Sequence, residues 1–228
     1  MIWLASYPRS GNTLMRNILY EVYGLSSSEF HREEGHPLDK NYFDHPFVKT
    51  HLLPEQLDPA DSSIRAVYIV RDGRDALLSM AHQRSDIVSP GSDLRENLRA
   101  AIFAEKGTFF GGWSHNVEAW AGRADIIIRY EDLIADPVGQ AERIRGIMDM
   151  PVPDRNRIPD FGTLKSGQAA YGARKSWGYS EAQSRELAYK AFRKGRSGGW
   201  REEMPEDLHD IFWTYHGETM LRLGYTRE

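Results

Sequence analysis

The sequence predicts an α/β fold of three layers, in which helices flank a central, mostly parallel sheet. Two short runs, Ala-Val-Tyr-Ile-Val and Ile-Ile-Ile, are almost wholly apolar, as in strands buried on both faces of a parallel sheet. Helical patterns follow most of the apolar runs, and this alternation indicates βαβ units. The predicted strands cover residues 2–6, 47–50, 66–70 and 125–129. The predicted helices cover residues 13–23, 75–84, 93–106, 115–123, 133–148, 180–193 and 206–223, and segments 153–180 and 194–200 are predicted loops.

Composition limits the class of protein. The 228 residues suit one domain, and a composition that is 40% hydrophobic and 27% charged is ordinary for a globular protein. Lys and Arg number 29 against 33 Asp and Glu, which argues against a protein that coats nucleic acid. The absence of cysteine excludes disulfides and thiolate metal sites. Because no apolar run has transmembrane length and no signal peptide is recognisable, we expect a cytoplasmic protein without membrane or nucleic-acid partners.

A strand, a tight glycine turn and a helix start follow one another near the N-terminus, an order typical of a P-loop-type anion site. The turn reads Tyr7-Pro8-Arg9-Ser10-Gly11-Asn12-Thr13. Backbone N–H groups and the helix dipole favour a negative charge at such a helix start. Compared with a Walker A loop, Asn12 replaces the lysine that reaches the terminal phosphates, and Arg9 is the basic residue instead. The alternative is an ordinary strand-to-helix turn with a solvated Arg9.

A second candidate anion site follows the third predicted strand. Arg71 leaves the carboxyl end of that strand, and Ser79 lies about two helical turns further on, near the same helix face. A fixed guanidinium and a hydroxyl together suit a second, separate phosphate. The alternative is that Arg71 pairs with Asp72 or Asp75 in a purely structural helix cap.

A third cluster of cations lies in the glycine-rich segment 192–201. Gly195 allows the backbone to approach a ligand closely, while Arg193 and Lys194 supply positive charge. The alternative is an ordinary helix end that Gly195 caps, with basic residues favoured in the last turn.

Six segments, in the same order along the chain, resemble motifs of the cytosolic-type sulfotransferases, which use 3′-phosphoadenosine 5′-phosphosulfate (PAPS). Residues 7–13 are similar to the 5′-phosphosulfate loop, usually Tyr-Pro-Lys-Ser-Gly-Thr-Thr, and residues 68–79 are similar to the 3′-phosphate strand and helix. Residues 192–201 resemble the Arg-Lys-Gly-x-x-Gly-Asp-Trp loop, with Gly199 in place of Asp. The other three are Val-Lys-Thr-His at 48–51, Arg-Tyr-Glu-Asp-Leu at 129–133 and the aromatic stretch 112–120.

The resemblance implies one sulfotransferase domain over residues 1–228, with PAPS as co-substrate. Residues implied to hold the 5′-phosphosulfate are Arg9, Ser10, Gly11, Asn12 and Thr13. Those implied to hold the 3′-phosphate are Arg71, Ser79, Arg193, Lys194 and Gly195. Tyr130 and Phe161 would lie beside the adenine, and the catalytic residues would be His51 as the base with Lys49 and Arg9. Leu14 stands where cytosolic members often carry an adenine-stacking Trp.

Elementary chemistry is consistent with these roles. Sulfuryl transfer to a hydroxyl or amine needs a base, and a histidine with an ordinary pKa of about 6.5 accepts a proton at neutral pH. His51 directly follows a predicted strand, at the sheet edge where α/β proteins bind ligands. Arg9 would stabilise the leaving adenosine 3′,5′-bisphosphate as the sulfated product forms. We expect no metal, because His31 and His36 lack the spacing of a His-Glu-x-x-His site.

Aromatic residues predict the pocket for a small-molecule acceptor. Phe109, Phe110, Trp113 and Trp120, with parts of segment 30–45, would suit an aromatic or apolar alcohol. The alternative is that Trp113 and Trp120, which lie on one helical stripe, fill the core, and the pattern favours this for Trp120.

Two other functions would share this fold. A P-loop small-molecule kinase would use the same anion loop, but the missing Walker lysine argues against it. A non-catalytic nucleotide-binding protein would keep the fold without turnover, and the presence of both Lys49 and His51 argues against that.

Overall fold

Five parallel strands form the sheet in the computed structural model, which describes residues 1–31, 38–104, 110–172 and 180–228. Neighbouring strands pair in the order β2-β3-β1-β4-β5, and every pair is parallel. The strands are β1 (Ile2–Ser6), β2 (Ser27–Glu29), β3 (Phe47–Thr50), β4 (Ala66–Val70) and β5 (Ile126–Arg129). The predicted α/β fold with a central parallel sheet is confirmed.

Ten α-helices accompany the sheet in the described part of the chain. A π-helical turn, Arg84–Val88, follows the second of them, and no helix among the described residues is long and apolar enough to span a membrane. The helices are α1 (Asn12–Tyr23), α2 (Gly73–Gln83), α3 (Leu94–Phe103), α4 (Trp113–Ala121), α5 (Tyr130–Ala135), α6 (Pro137–Glu142), α7 (Phe161–Lys165), α8 (Glu181–Ala191), α9 (Trp200–Glu203) and α10 (Glu206–Arg222).

Both faces of β1 are buried, because its side chains alternate between two hydrophobic clusters. Trp3 and Ala5 pack in a cluster with residues of α2, α3, α4 and α10. Ile2 and Leu4 pack in a second cluster with residues of α1 and α6. The sheet is therefore the middle of three layers, which explains why its strands are almost continuously apolar.

The edge strand β2 has no counterpart among the predicted strands. Its sequence, Ser-Ser-Glu, has neither the apolar residues nor the length that a periodicity argument needs. Backbone pairing with β3 forms the strand, and its polar side chains are used locally. Ser28 Oγ donates to Asp39 Oδ2 at 2.6 Å, and Glu29 Oε2 accepts from Lys49 Nζ at 3.2 Å.

The helix predicted over residues 133–148 was wrong as a single element. The chain forms α5, α6 and a 3₁₀ turn, Arg143–Gly146. Pro137 has no N–H, and the residue before a proline avoids helical geometry, so the first helix ends at Ala135. The carboxylate of Asp136 then accepts the Gly139 N–H at 2.9 Å and caps α6.

A short helix, α7, lies within segment 153–180, which was predicted to be a loop. Asp160 caps its first turn by accepting the N–H of Thr163 at 2.6 Å. Five residues are too few for a periodic apolar pattern. The first residue of this helix is Phe161, one of the residues predicted to lie beside the adenine.

Candidate active site

The residues that follow β1, β3, β4 and β5 line one cavity of about 1250 Å³. They meet there because the carboxyl ends of parallel strands lie at the same edge of a sheet. All the predicted site residues except Ser10 line this cavity: Arg9, Gly11, Asn12, Thr13, Lys49, His51, Arg71, Ser79, Tyr130, Phe161, Arg193, Lys194 and Gly195.

The phosphate loop after β1 contains two residues with left-handed backbone, Arg9 at φ 66° and Gly11 at φ 102°. A side chain is excluded at Gly11, because a Cβ there would lie 2.6 Å from the Tyr130 ring. The Asn12 side chain fastens the loop to β1 by donating to the Leu4 carbonyl oxygen at 2.8 Å. The helix α1 begins at Asn12, so its first backbone N–H groups lack intrahelical partners beside the cavity.

Two donors in this region lack a hydrogen-bond partner among the described residues. Ser10 Oγ and Arg71 Nε are among the buried side-chain atoms for which none is found. Buried polar groups are normally hydrogen-bonded, and of these two residues Arg71 lines the cavity, so its guanidinium has donor capacity left for a ligand there. An anion with several oxygen atoms would supply the acceptor.

Arg9 extends from the phosphate loop toward α2. Its Nε donates to Ser79 Oγ at 3.1 Å, and its Nη2 contacts the Ala191 carbonyl oxygen. Burial, together with the nearby Arg71 and Arg193, lowers the pKa of Arg9 to about 10. Arg9 therefore stays charged at neutral pH, and the solvated arginine of an ordinary turn is not what the structure contains.

Arg71 joins the phosphate loop to the glycine-rich loop. Its Nη1 donates to the Arg9 carbonyl oxygen and its Nη2 to the Arg196 carbonyl oxygen, both at 3.1 Å. Nη2 also lies 3.8 Å from Asp75 Oδ2. The other carboxylate considered as a structural partner, Asp72, is bound at 2.8 Å by a different arginine of α2.

The cations of the glycine-rich loop form ion pairs with α9. Arg193 Nη2 lies 2.7 Å from Glu203 Oε2, and Lys194 contacts both Glu203 and Glu202. Burial alone would raise the pKa of Glu203, but hydrogen bonds from Lys194 and His82 lower it to about 2. Acidic partners therefore hold these two cations together beside the cavity.

Gly195 does not cap a helix. A helix end capped by Gly195 was the alternative to a ligand-binding loop. The helix α8 ends at Ala191, and Phe192 occupies the cap position. Gly195 has φ 61°, and a Cβ there would lie 2.4 Å from the Phe161 ring. The glycine is thus required by a close approach of the loop to Phe161.

Apolar side chains line the cavity near the two anion loops. The Tyr130 ring lies against Gly11, as the Phe161 ring lies against Gly195. The Arg71 guanidinium lies 4.4 Å from the centre of the Tyr130 ring. The apolar side chains that line the cavity from α1, α5, α6 and α7 include Leu14, Tyr130, Ile134, Pro137, Phe161 and Leu164.

His51 is oriented by the end of β1. Its Nδ1 lies 2.7 Å from the Ser6 carbonyl oxygen, which can only accept, so Nδ1 carries the proton. The Nε2 atom then has a free lone pair. Burial, with a contribution from Lys49, lowers the pKa of His51 to about 3, so the imidazole is neutral at physiological pH.

A carboxylate that sequence reasoning missed, Glu29 of β2, lies beside Lys49. Lys49 Nζ is 3.2 Å from Glu29 Oε2, and Arg16 Nη1 is 2.5 Å from Glu29 Oε1. Burial alone would raise the pKa of Glu29. The charges of Lys49 and Arg16 outweigh burial and lower this pKa well below its usual range. No motif contains Glu29; recognising β2 as a strand beside β3 would have been the only signal.

The aromatic pocket predicted for the acceptor needs correction. Trp113 and Trp120 have no exposed surface and pack in the core, so they do not line the cavity. Both occur on the buried stripe of α4, which is the alternative that their spacing allowed. Phe110 does line the cavity, whereas Phe109 lies outside the described residues.

Two walls complete the cavity, and of these sequence reasoning identified only segment 30–45, which forms part of the second. One is mostly apolar, from α2, the π-helical turn and α3, with Gln83, Arg84 and Asn97 as its polar members. The other is polar, from β2 and the described parts of segment 30–45. The apolar wall contains Leu78, Ile87, Val88, Ala100 and Ala101. The polar wall contains Ser27, Ser28, Glu29, His31, Asp39 and His45, while residues 32–37 lie outside the described residues.

Comparison with known proteins gives consistent matches. Sulfotransferase 1 family member D1 of the rat, Rattus norvegicus, is 23% identical over 246 residues, which cover 92% of this chain and 80% of the relative. Cytosolic sulfotransferase 3 of Arabidopsis thaliana is 22% identical over 242 residues, covering 91% of this chain and 72% of the relative.

Solved structures share the fold. Mouse sulfotransferase SULT7A1, complexed with PAP, superposes with a TM-score of 0.71 at 22% identity, covering 96% of this chain and 83% of that one. The sulfotransferase domain from the curacin biosynthetic pathway superposes with a TM-score of 0.59 at 18% identity, and the match covers 99% of this chain and 98% of that one. The family model of the sulfotransferase domain matches residues 1–224. With its fold, its phosphate loop and this match over nearly the whole chain, the protein belongs to the sulfotransferase family.

Proposed function

We propose that His51, Lys49 and Arg9 carry out the PAPS-dependent sulfuryl transfer of this family, from PAPS to a hydroxyl or amine of a small-molecule acceptor. The products are the sulfated acceptor and adenosine 3′,5′-bisphosphate. The observation that carries the proposal is the orientation of His51. Its Nδ1 is engaged with the Ser6 carbonyl oxygen, so Nε2 is available as a base in the cavity that also contains the phosphate loop.

The chain's own donors fit a carrier with two separate phosphate groups. Near the phosphate loop, the start of α1 suits the 5′-phosphosulfate, with Arg9, Gly11, Asn12 and Thr13 lining the cavity around it and Ser10 within the same loop. Arg71, Ser79, Arg193, Lys194 and Gly195 come from distant parts of the sequence to the same cavity and suit the 3′-phosphate. Tyr130 and Phe161, each against one anion loop, suit the adenine.

Each catalytic side chain has a distinct task. His51 Nε2 accepts the acceptor proton as the new bond from the acceptor oxygen or nitrogen to sulfur forms and the bond from sulfur to the leaving phosphate oxygen breaks. Arg9, whose pKa of about 10 keeps it charged, stabilises the negative charge on the leaving phosphate. Lys49 stabilises the transferring group. PAPS supplies the sulfuryl group and a good leaving group, and its negative charge would also raise the low pKa of the free imidazole.

The acceptor contacts two kinds of wall. Leu78, Ile87 and Phe110 provide apolar surface, whereas Ser28 and Asp39 provide polar groups. This combination supports an alcohol or amine with an apolar body and at least one additional polar group. It modifies the purely aromatic or apolar alcohol that the sequence predicts.

A single domain over residues 1–228 and a cytoplasmic location are also proposed. The family match over residues 1–224 supports the first. The name of the Arabidopsis relative, a cytosolic sulfotransferase, supports the second.

The direct test is a screen of hydroxyl and amine acceptors with isotopically labelled PAPS, followed by mass detection of an added sulfuryl group. We expect transfer to persist in EDTA, because the chain supplies its own cations and no group of three or more metal-binding side chains occurs among the described residues. Phosphoryl transfer from ATP that EDTA abolishes and Mg²⁺ restores would support the kinase alternative instead.

A further inference from the structure

Asp75, in the first turn of α2, does not cap its own helix. Its Oδ2 accepts the Gly198 N–H at 2.7 Å, and its Oδ1 accepts the Trp200 N–H at 3.0 Å. These donors lie more than 120 residues away in the sequence, at the end of the glycine-rich loop. The N-terminal cap of α2 is a different residue, Asp72, which accepts the Arg74 N–H. The Asp75 carboxylate is therefore committed to the loop.

The carboxylate is well placed to fix this loop. Its side chain is only 3% exposed, so its two hydrogen bonds do not compete with solvent. Gly198 has φ 79°, a conformation in which the N–H of this residue and that of Trp200 can converge on one carboxylate. Arg71 Nη2, 3.8 Å from Asp75 Oδ2, donates to the Arg196 carbonyl oxygen in the same loop.

The geometry points to Asp75 as the positioning residue that holds the glycine-rich loop, together with Arg71, in the arrangement that receives the 3′-phosphate of the carrier. This inference rests on the proposed function. Asp75 does not itself contact the phosphate, since a carboxylate repels it. It acts through the loop: three points of the loop, at residues 196, 198 and 200, are tied to Arg71 and Asp75. Arg193, Lys194 and Gly195 immediately precede these points.

Asp75→Asn tests the inference, because the amide has the same size but replaces one acceptor oxygen with a donor that faces backbone N–H groups. We expect the affinity for adenosine 3′,5′-bisphosphate, measured by calorimetry, to fall on the order of ten- to a hundred-fold. The affinity for 5′-AMP, which has no 3′-phosphate, should stay within a few-fold. A purely structural role would lower both affinities together. A control for lost stability is Ile144→Ala, a fully buried residue of the second cluster, which should lower the melting temperature without changing the ratio of the two affinities.

Hydrogen exchange gives a second measurement that does not require the variant to fold. In the unliganded native protein the amides of Gly198 and Trp200 should be protected, and exchange at the rate of an unstructured loop would overturn the inference. A folded Asp75→Asn protein that keeps the native affinity ratio would overturn it too. Equal affinities of the native protein for the two nucleotides would instead contradict the proposed function itself.

Discussion

His51 Nδ1 lies 2.7 Å from the carbonyl oxygen of Ser6, the last residue of β1. This contact joins the proposed base to the first residue before the phosphate loop. The two residues follow neighbouring positions of paired strands, because Ala5 of β1 pairs with Thr50 of β3. One parallel strand pair therefore sets both the tautomer of the imidazole and its position relative to the phosphate loop.

His51→Ala should abolish transfer while leaving carrier binding within a few-fold of the native value. The imidazole acts on the acceptor proton, and loss of a general base typically costs about 10²–10⁴ in rate. Single-turnover transfer from labelled PAPS measures the rate, and calorimetry with adenosine 3′,5′-bisphosphate measures binding. Near-normal turnover would remove His51 from the mechanism, whereas loss of carrier binding would indicate a structural role.

The low pKa of His51 should make stability depend on pH. Burial, with Lys49, lowers this pKa to about 3 in the folded protein, whereas the unfolded chain has the ordinary value of about 6.5. Between these values the unfolded state binds a proton that the folded state does not, so the free energy of unfolding falls as the pH is lowered. The contribution of the neutral imidazole is complete above the unfolded pKa.

Urea denaturation of the native protein and of His51→Gln checks this sign. Between pH 7 and pH 5 the native protein should lose about 2 kcal/mol more unfolding free energy than the variant, which cannot titrate at this position. Equal losses in the two proteins would show that His51 titrates near its ordinary pKa when folded.

Glu29→Gln should lower the free energy of unfolding by about 3 kcal/mol, because it leaves the charge of Arg16 buried without its carboxylate partner. The Arg16 side chain is only 4% exposed. The matched control is Glu181→Gln, which breaks an exposed pair with Arg185 and should cost less than about 0.5 kcal/mol. Denaturation curves that show the same small loss for both variants would mean that the Glu29 pairs contribute little.

Short, mostly apolar strands and glycine turns made much of this site predictable from sequence. The strands before Arg9, His51 and Arg71 are buried on both faces. A parallel sheet brings the carboxyl ends of these strands together, and this does not depend on how the flanking helices pack. Glu29 was not predictable, because backbone pairing alone makes its strand. The misplacement of Trp113 has a different cause: the apolar stripe of a helix looks the same whether it faces a core or a cavity. Tertiary packing decides between the two.

Gly195→Ala should weaken carrier binding through a steric effect on Phe161. The backbone there has φ 61°, and the added Cβ would lie 2.4 Å from the Phe161 ring, so the loop or the ring must move. We expect adenosine 3′,5′-bisphosphate to bind roughly 5- to 100-fold more weakly in calorimetry. The control is Gly24→Ala, which has the same kind of backbone, φ 69°, but no atom within 4 Å of the new Cβ. Similar affinities in the two variants would show that the close approach to Phe161 is not needed for binding.

Arg71→Ala provides the sharpest test of the carrier's identity. Arg71, Ser79, Arg193 and Lys194 converge on one cavity from distant parts of the sequence, and a second phosphate gives them a shared ligand. A kinase nucleotide has no 3′-phosphate, so it would give these four side chains no shared ligand. The native protein should therefore bind adenosine 3′,5′-bisphosphate far more tightly than 5′-AMP.

The size of that difference follows from the loss of a desolvated, charge-assisted contact, which costs about 2–5 kcal/mol or roughly 30- to several-thousand-fold in affinity. Arg71→Ala should remove most of the difference and change 5′-AMP binding little. Arg71→Lys should keep only part of the affinity difference between the two nucleotides. A lysine keeps the charge but lacks the planar guanidinium that also donates to the Arg9 and Arg196 carbonyl oxygens. An alanine variant that keeps the full native preference would show that the 3′-phosphate is bound elsewhere.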